Sequence, residues 1–454
     1  MNKEIIIIGG GLAGISAAIH AIQHGFRPII LEKNRELGGR VRSVYANDIH
    51  QTIDNGQHIL SAAYDETIRM LKQTGSLHKV YFQKNFNIHF IKSQRRHFVF
   101  RTFALPSPLH FFIPLMLQKK FTGTNTAEYI SFVRKNIGLK EAELRKMTVS
   151  QWLSFTGQSK NLRTLLWEPL THSILNASME EASAYLLQQA VNQSFLHSRK
   201  RAALGIPRDW LGNIFVTPAE KFISDKGGSI HRLCSLHKFI SENGHINSIV
   251  TRKQQFYSPW IISTVPPYAL KSVLEESQIQ SLNRLTEKCG RFSYNPIITI
   301  NIFLRAPINV QFPVAPVASP LQWIFPHPSQ NSGKAGYGYA LVISAANQWT
   351  IKNADQIIDM VKGELFRILG INLNNNHKLI KYKIIKEKRA TVSQTPEFLK
   401  LRPAVETPID NFFLAGDWVA TGLPATIESA VKSGRMAVEA VVKKASSLDL
   451  QTKT

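Results

Sequence analysis

The stretch that decides the fold is "IIIIGGGLAGISAAIHAIQHG", Ile5 to Gly25. Four consecutive isoleucines read as a strand buried on both faces, the habit of a parallel sheet. Gly9, Gly11 and Gly14 then spell G-x-G-x-x-G and open a helix. Gly9 permits the sharp turn, Gly11 lets a pyrophosphate approach the backbone, and Gly14 lets helix and strand pack closely. Leu12 and Ala13 lie in the first helical turn. There the free N–H groups and the positive end of the helix dipole face a phosphate.

The reading extends in both directions. Upstream, "MNKE" leads into the apolar run and could pass for a signal peptide, but adjacent glycines interrupt the run and Glu4 sits in its charged lead. Downstream, "RPIILE" is a second strand that ends in Glu32, with Lys33 beside it. Glu32 stands 23 positions after Gly9, close to the spacing at which a carboxylate accepts from the adenosine ribose. "LGGRVRS" follows at once. Gly38, Gly39 and Arg40 resemble the Gly-Gly-Arg segment of two-dinucleotide-domain flavoproteins, which passes beneath the pyrophosphate. The cofactor this implies is FAD, bound extended.

Bulk properties set limits. The chain has 454 residues, 44% hydrophobic and 19% charged, which suits a folded protein of two or three domains. Its two cysteines, Cys234 and Cys289, form no metal or disulfide pattern and suit a reducing cytoplasm. No metal site is expected. The formal charge of +24 favours a polyanionic partner, nucleic acid or an acidic lipid surface. No nucleic-acid-binding motif accompanies it. No apolar run reaches the roughly 20 residues of a spanning helix.

Near the C-terminus, "NFFLAGDWVATGLPATIESAVKSGRMAVEAVV" reads as strand, Gly416-Asp417, a Gly-Pro loop and a helix from about Ala425. Asp417 is placed to accept from a ribityl hydroxyl. The helix start near Thr426-Ile427 can aim N–H groups at the flavin edge that gathers negative charge on reduction. Both ends of the chain therefore build one cofactor domain. Between them, "TIDNGQHILSAAYDETI" places Gln57 and His58 just past Asn55-Gly56, a dipeptide that tolerates positive φ and predicts a tight turn. Taken alone, Gln57 and His58 are a polar surface loop.

The resemblance becomes specific at this point. The N-terminal motif, the Gly-Gly-Arg and the terminal Gly-Asp resemble the amine oxidase and phytoene desaturase flavoprotein superfamily. "DNGQHIL" (Asp54–Leu60), "KRATV" (Lys388–Val392) and "LAGDWVATGLPATIESAV" (Leu414–Val431) resemble more narrowly the hydroxysqualene dehydroxylases, as do "LPSPLH" (Leu105–His110), "LWEPL" (Leu166–Leu170) and "PAEKFI" (Pro218–Ile223). The resemblance runs along nearly the whole chain. It implies that Gly56, Gln57 and His58 return to the flavin ring, and that Leu236, on a strand beside the adenine, is a further contact. "TGLPATIE" lacks the facing aromatic residue common in amine oxidases, which counts against an amine substrate.

The implied fold is α/β: a Rossmann-like FAD domain of residues 1–63, 205–289 and 407–445, and an α+β substrate domain of residues 64–204 and 290–406 with a mixed sheet. The implied reaction removes the allylic hydroxyl of hydroxysqualene, on the route to hopanoids. It needs a proton donor, for which His58 is the first candidate because its ordinary pKa lies near working pH. Glu428 is the second. The electron donor that reduces FAD is open. A carotenoid-type desaturase or isomerase of a C30–C40 polyene and a flavin-free prenyl-lipid binding protein share this fold. Glu32, Arg40 and Asp417 argue against the flavin-free reading. "RRHFVFRTFALPSPLHFFIPLMLQKK" (Arg95–Lys120) joins an apolar core, Phe103 to Leu117, to basic flanks. It predicts a peripheral protein on an anionic membrane, on the cytoplasmic face of the cell membrane, taking a long-chain isoprenoid.

Overall fold

A computed structural model describes residues 3–107, 109–117, 126–328, 336–375 and 377–451. The isoleucine strand, β1 (Glu4–Ile8), lies at the centre of a five-stranded parallel sheet, and its four isoleucines are buried. The sheet order is β10 (Ser229–His231), β2 (Arg27–Leu31), β1, β14 (Trp260–Ser263), β20 (Phe412–Leu414). Its strands thus come from both ends of the chain and one central segment. Helix α1 (Leu12–Gln23) covers one face, and the C-terminal helix α8 (Ile427–Gln451) packs on α1. A Cβ on Gly434 would stand 2.3 Å from the Ala13 carbonyl oxygen, so this crossing requires a glycine. β11 (Leu236–Glu242), β12 (His245–Thr251) and β13 (Gln255–Phe256) form a separate antiparallel sheet.

The second large sheet is mixed and seven-stranded. Its order is β19 (Leu379–Val392), β15 (Tyr294–Leu304), β18 (Tyr337–Ile343), β17 (Trp323–Pro326), β16 (Val314–Pro316), β7 (Asn87–Ser93), β8 (Arg96–Arg101). Alternation along β15 divides its side chains. Ile298, Ile300 and Ile302 join a core with Ile357, Val361 and Leu365 of helix α7 (Ala354–Leu369). Thr299, Asn301 and Phe303 point the other way. Phe303 packs on Ala46, Ile49 and Ile53 of the hairpin β3 (Ser43–Ala46) and β4 (Gln51–Asp54). The sheet therefore lies over the chain that leads to Gln57 and His58. β5 (Leu60–Ser61), β9 (Leu204–Pro207) and β6 (Val80–Phe82) make a small antiparallel sheet beyond it.

Helices fill the rest, among them α2 (Asp65–Gln73), α3 (Leu109–Leu117), α4 (Thr126–Ile137), α5 (Ala184–Val191) and α6 (Thr217–Asp225). The apolar Phe103–Leu117 segment is neither wholly core nor wholly surface. His110, Phe111, Pro114 and Leu115 are buried, whereas Phe103, Leu109 and Leu117 are exposed. Of its basic flanks, Arg96 and Arg101 bound β8; Lys119 and Lys120 lie outside the described residues. No described helix is long and apolar enough to cross a membrane.

Candidate FAD site

The glycine loop is built as its sequence demands. Gly9 has φ +106°, and a Cβ on Gly14 would come within 1.9 Å of the Gly9 carbonyl oxygen. A Cβ on Gly11 meets nothing within 4 Å. The space that a side chain would fill lies open at the N-terminus of α1, where no side chain caps the helix and no acidic residue stands in the first turn. That is the cradle a pyrophosphate needs. Gly38 (φ +98°) and Gly39 (φ +59°) bring the second loop against the first, and Gly38 bridges Gly11.

Glu32 is 5% exposed and works harder than its motif implies. Oε2 accepts from the Gly10 N–H at 2.7 Å, and Oε1 accepts from the Asn34 backbone and side-chain nitrogens at 2.8 Å. It braces the glycine loop from below. Lys33 is exposed. The chain before Leu236 runs alongside: the Leu233 and Cys234 N–H groups donate to the Asn34 and Glu32 carbonyls.

Arg40 donates to Asp417 Oδ1 at 2.7 Å and to the Ala390 carbonyl at 2.8 Å. The Asp417 carboxylate raises the pKa of the guanidinium further. "KRATV" now has a structural role. Ala390 holds Arg40, Thr391 Oγ1 accepts from Asn176, and Gln394 beyond the motif accepts from the Ala425 N–H at 2.7 Å. Gly416, at φ +135°, is fixed by its N–H to Ser433 Oγ at 2.7 Å.

Arg402 escaped the sequence reading. It is 8% exposed and donates to the carbonyls of Val419, Leu423 and Asp417, so one guanidinium organises the "GDWVATGLP" loop. Burial lowers its pKa to about 10. Nothing in "LKLRPAV" distinguishes it from a surface arginine. Tyr64 was missed too. It bonds to the Thr426 side chain at the start of α8, and burial raises its phenol to about 12. An aromatic residue thus reaches the α8 N-terminus from a different segment than the amine oxidase pattern suggests.

Three expectations need correction. Asn55 and Gly56 form a bend without positive φ; the left-handed residue is His50 (φ 49°), in the β3–β4 turn. His58 is no ready acid. Burial, and secondly the charge of Arg40, lower its pKa to about 4, so near neutral pH the imidazole is uncharged. Glu428 has a structural task. Its carboxylate accepts from the Glu66 N–H, the Thr67 N–H and Thr67 Oγ1 at 2.7–2.9 Å, capping α2 across the start of α8. Burial raises its pKa despite those bonds. The charge of Arg40, which pairs with Asp417, is felt at His58.

A family model described as flavin containing amine oxidoreductase matches residues 12–442. The chain belongs to that family. It is an FAD-dependent oxidoreductase, and its glycine cradle, Glu32 and the Arg40–Asp417 pair are residues that fit the cofactor. The hydroxysqualene dehydroxylase of Sinorhizobium fredii is 25% identical, over 97% of this chain and 98% of its own. That of Zymomonas mobilis is 24% identical, over 95% and 97%. The 15-cis-phytoene desaturase of Solanum lycopersicum is 25% identical, over 97% of this chain and 78% of its own. In three dimensions, an oxidoreductase from Methanosarcina mazei superposes with a TM-score of 0.72 at 14% identity, covering 96% of this chain and 99% of its own. Cyclohexylamine oxidase from Brevibacterium oxydans superposes with a TM-score of 0.70 at 16% identity, covering 98% and 100%. These two establish the fold.

Proposed function

We propose that this family member reductively removes the hydroxyl of hydroxysqualene to give squalene, working at a membrane surface. The observation that carries the reading is similarity along nearly the whole chain to relatives named hydroxysqualene dehydroxylase. The relatives named for hydroxysqualene and phytoene support the same substrate class.

Bound FAD supplies hydride chemistry at such a site. The rest falls to the chain. Removing an allylic hydroxyl as water takes one hydride and one proton; the proton comes from solvent and leaves with the oxygen. In this reading Gln57 and His58 hold that oxygen by neutral hydrogen bonds, since His58 carries no charge near neutral pH. The reaction needs an apolar site, so that water does not capture the carbon in place of hydride. Leu236 is the adenine contact in this reading, and Ile427 turns the α8 N-terminus to the ring.

The deciding experiment is anaerobic incubation of reduced holoprotein with hydroxysqualene, with products read by mass spectrometry. Squalene is expected. Unchanged hydroxysqualene, together with a new double bond when oxidised protein meets a C30–C40 polyene, would replace this reading with a desaturase.

A further inference from the structure

Asp54 begins the stretch that carries Gln57 and His58. It ends β4 and is 2% exposed. Oδ1 accepts from Ser43 Oγ at 2.6 Å and from the Leu211 N–H at 3.0 Å. Ser43 Oγ in turn accepts from the Gly212 N–H at 2.8 Å. The carboxyl and the hydroxyl together satisfy the first N–H groups of the helical turn Gly212–Val216 that runs into α6. Oδ2 is shut off from water and has no partner.

The other end of the same stretch is anchored to the same neighbour. Leu60 and Ser61 pair with Gly205 and Leu204 of β9. Residues 55–59 therefore span two fixings, both on the segment 204–212. Only the Asn55 N–H, bonded to the Arg42 carbonyl, continues the hairpin. The placement of Gln57 and His58 depends on both fixings.

We propose that Asp54 is a positioning residue that sets the Gln57–His58 stretch by latching β4 to the 204–212 segment, and that on the acid side of neutrality it does so as a neutral carboxyl with its proton on Oδ2. The geometry supplies the reason. A carboxylate oxygen without partner or water is costly in the interior, and a proton removes the charge. The surroundings agree. Burial pushes the Asp54 carboxyl up to about 6, and the charge of Asp209 adds to it against the two hydrogen bonds. Asp209, held by Lys79, approaches from the helix side. Arg42 belongs to the start of the hairpin, with Nε buried and unpartnered. From the large sheet, His327 lies against Trp210, whose neighbour Leu211 bonds Asp54. Burial holds His327 near 4, so it brings no charge.

The inference rests on the reading that Gln57 and His58 face the flavin, and the test separates the two. Infrared difference spectra of the holoprotein from about pH 5 to about pH 8, wild type against Asp54→Asn, should show a protonated-carboxyl band that the variant lacks. Asp54→Asn keeps the Oδ1 acceptor and should keep the flavin absorption spectrum and FAD affinity. Asp54→Ala should perturb the spectrum and slow turnover by about 10–100-fold, the usual effect of a supporting group. No carboxyl band, or equal damage from Asn and Ala, overturns the neutral latch. A wild-type flavin spectrum and turnover in Asp54→Ala overturns the positioning role. An unchanged flavin spectrum in both Gln57→Ala and His58→Ala, with the band present, removes the stretch from the flavin and the positioning role with it.

Discussion

Arg40 Nη2 and Asp417 Oδ1 meet at 2.7 Å although 377 positions separate them. The first fifty residues and the last fifty are joined at this pair, beside the glycine cradle. The arginine side chain is 42% exposed and the aspartate 8%, so solvent screens the attraction and the pair adds at most about 1 kcal/mol to stability. Its value is positional. Arg40→Lys keeps the charge but loses the planar reach to both Asp417 and the Ala390 carbonyl. FAD dissociation should rise about 10-fold in Arg40→Lys, and a double-mutant cycle with Asp417→Asn should show coupling of about 0.5–3 kcal/mol. Strictly additive effects on FAD affinity would mean that the two residues act independently.

Glu32 carries two jobs that one substitution separates. Glu32→Gln keeps an acceptor beneath Gly10 and removes the negative charge; Glu32→Ala leaves the buried Gly10 N–H without a partner. Both should weaken FAD binding, by about 1.5–3 kcal/mol for a charge-assisted bond. Only Glu32→Ala should also lower the stability of the FAD-free protein, by about 1–3 kcal/mol, read from chemical denaturation. Equal stability losses in the two variants would show that the charge, not the acceptor, braces the loop.

These two residues also show what a sequence can reveal. Gly9, Gly11, Gly14 and Glu32 are legible because each answers a local demand: a turn, a close approach, an acceptor at a fixed distance along the chain. The central strands of the large sheet, Tyr294–Leu304 and Tyr337–Ile343, are legible as apolar, β-branched and aromatic runs, because both of their faces are buried. Arg402, Tyr64 and the task of Glu428 are not, since each is defined by groups remote in sequence. Glu428 looks like a carboxylate free for catalysis until α2 is placed over it. Likewise, the ordinary pKa of His58 misleads because the surrounding protein and Arg40 are what lower it.

His58 should stay neutral through the physiological range. Its folded-state pKa, about 4, lies below its ordinary value of 6.5. The stability it contributes is therefore complete above pH 6.5 and is lost as pH falls toward 4, a change of about 3 kcal/mol at most. Histidine ring shifts in the NMR spectrum of FAD-free protein, assigned through His58→Gln, should show no titration of this ring between about pH 5.5 and pH 8. His58→Gln, which keeps a side-chain N–H donor, should reduce turnover less than His58→Ala does. A ring titrating near 6.5 would restore the imidazolium as proton donor.

Asp54 has the opposite sign. Its folded-state pKa is raised to about 6, so its contribution is complete below its ordinary value of 3.8 and is lost as pH rises through 6. The loss amounts to about 3 kcal/mol. Asp54→Asn cannot ionise. Its unfolding free energy, relative to wild type, should grow between about pH 4 and pH 7 by that amount. A pH-independent difference between the two proteins would show that Asp54 ionises in the fold as it does in the unfolded chain.

Membrane binding should depend on a surface that the sequence only half revealed. Phe103, Leu109 and Leu117 are exposed on and before α3. On α4, Tyr129 and Phe132 face the core, while Ile130 (63%), Val133 (41%) and Ile137 (82%) form a second apolar row at helical spacing on the outside. Arg134 and Lys135 flank that row, and Arg95, Arg96 and Arg101 are exposed on the strand side. Apolar rows bordered by cations suit the boundary of an anionic bilayer. Replacing Ile130, Val133 and Ile137 together by serine should weaken binding to phosphatidylserine vesicles more than 10-fold while leaving FAD affinity unchanged. Arg134→Gln with Lys135→Gln should cost about 1 kcal/mol per charge at low salt, and little once salt screens the surface. Cosedimentation with the vesicles reads both. Vesicle binding that survives the triple serine variant and vanishes in the Arg95, Arg96 and Arg101 glutamine variant would move the contact to the β8 side. Indifference of the wild type to anionic vesicles at low salt would remove the membrane from the proposal altogether.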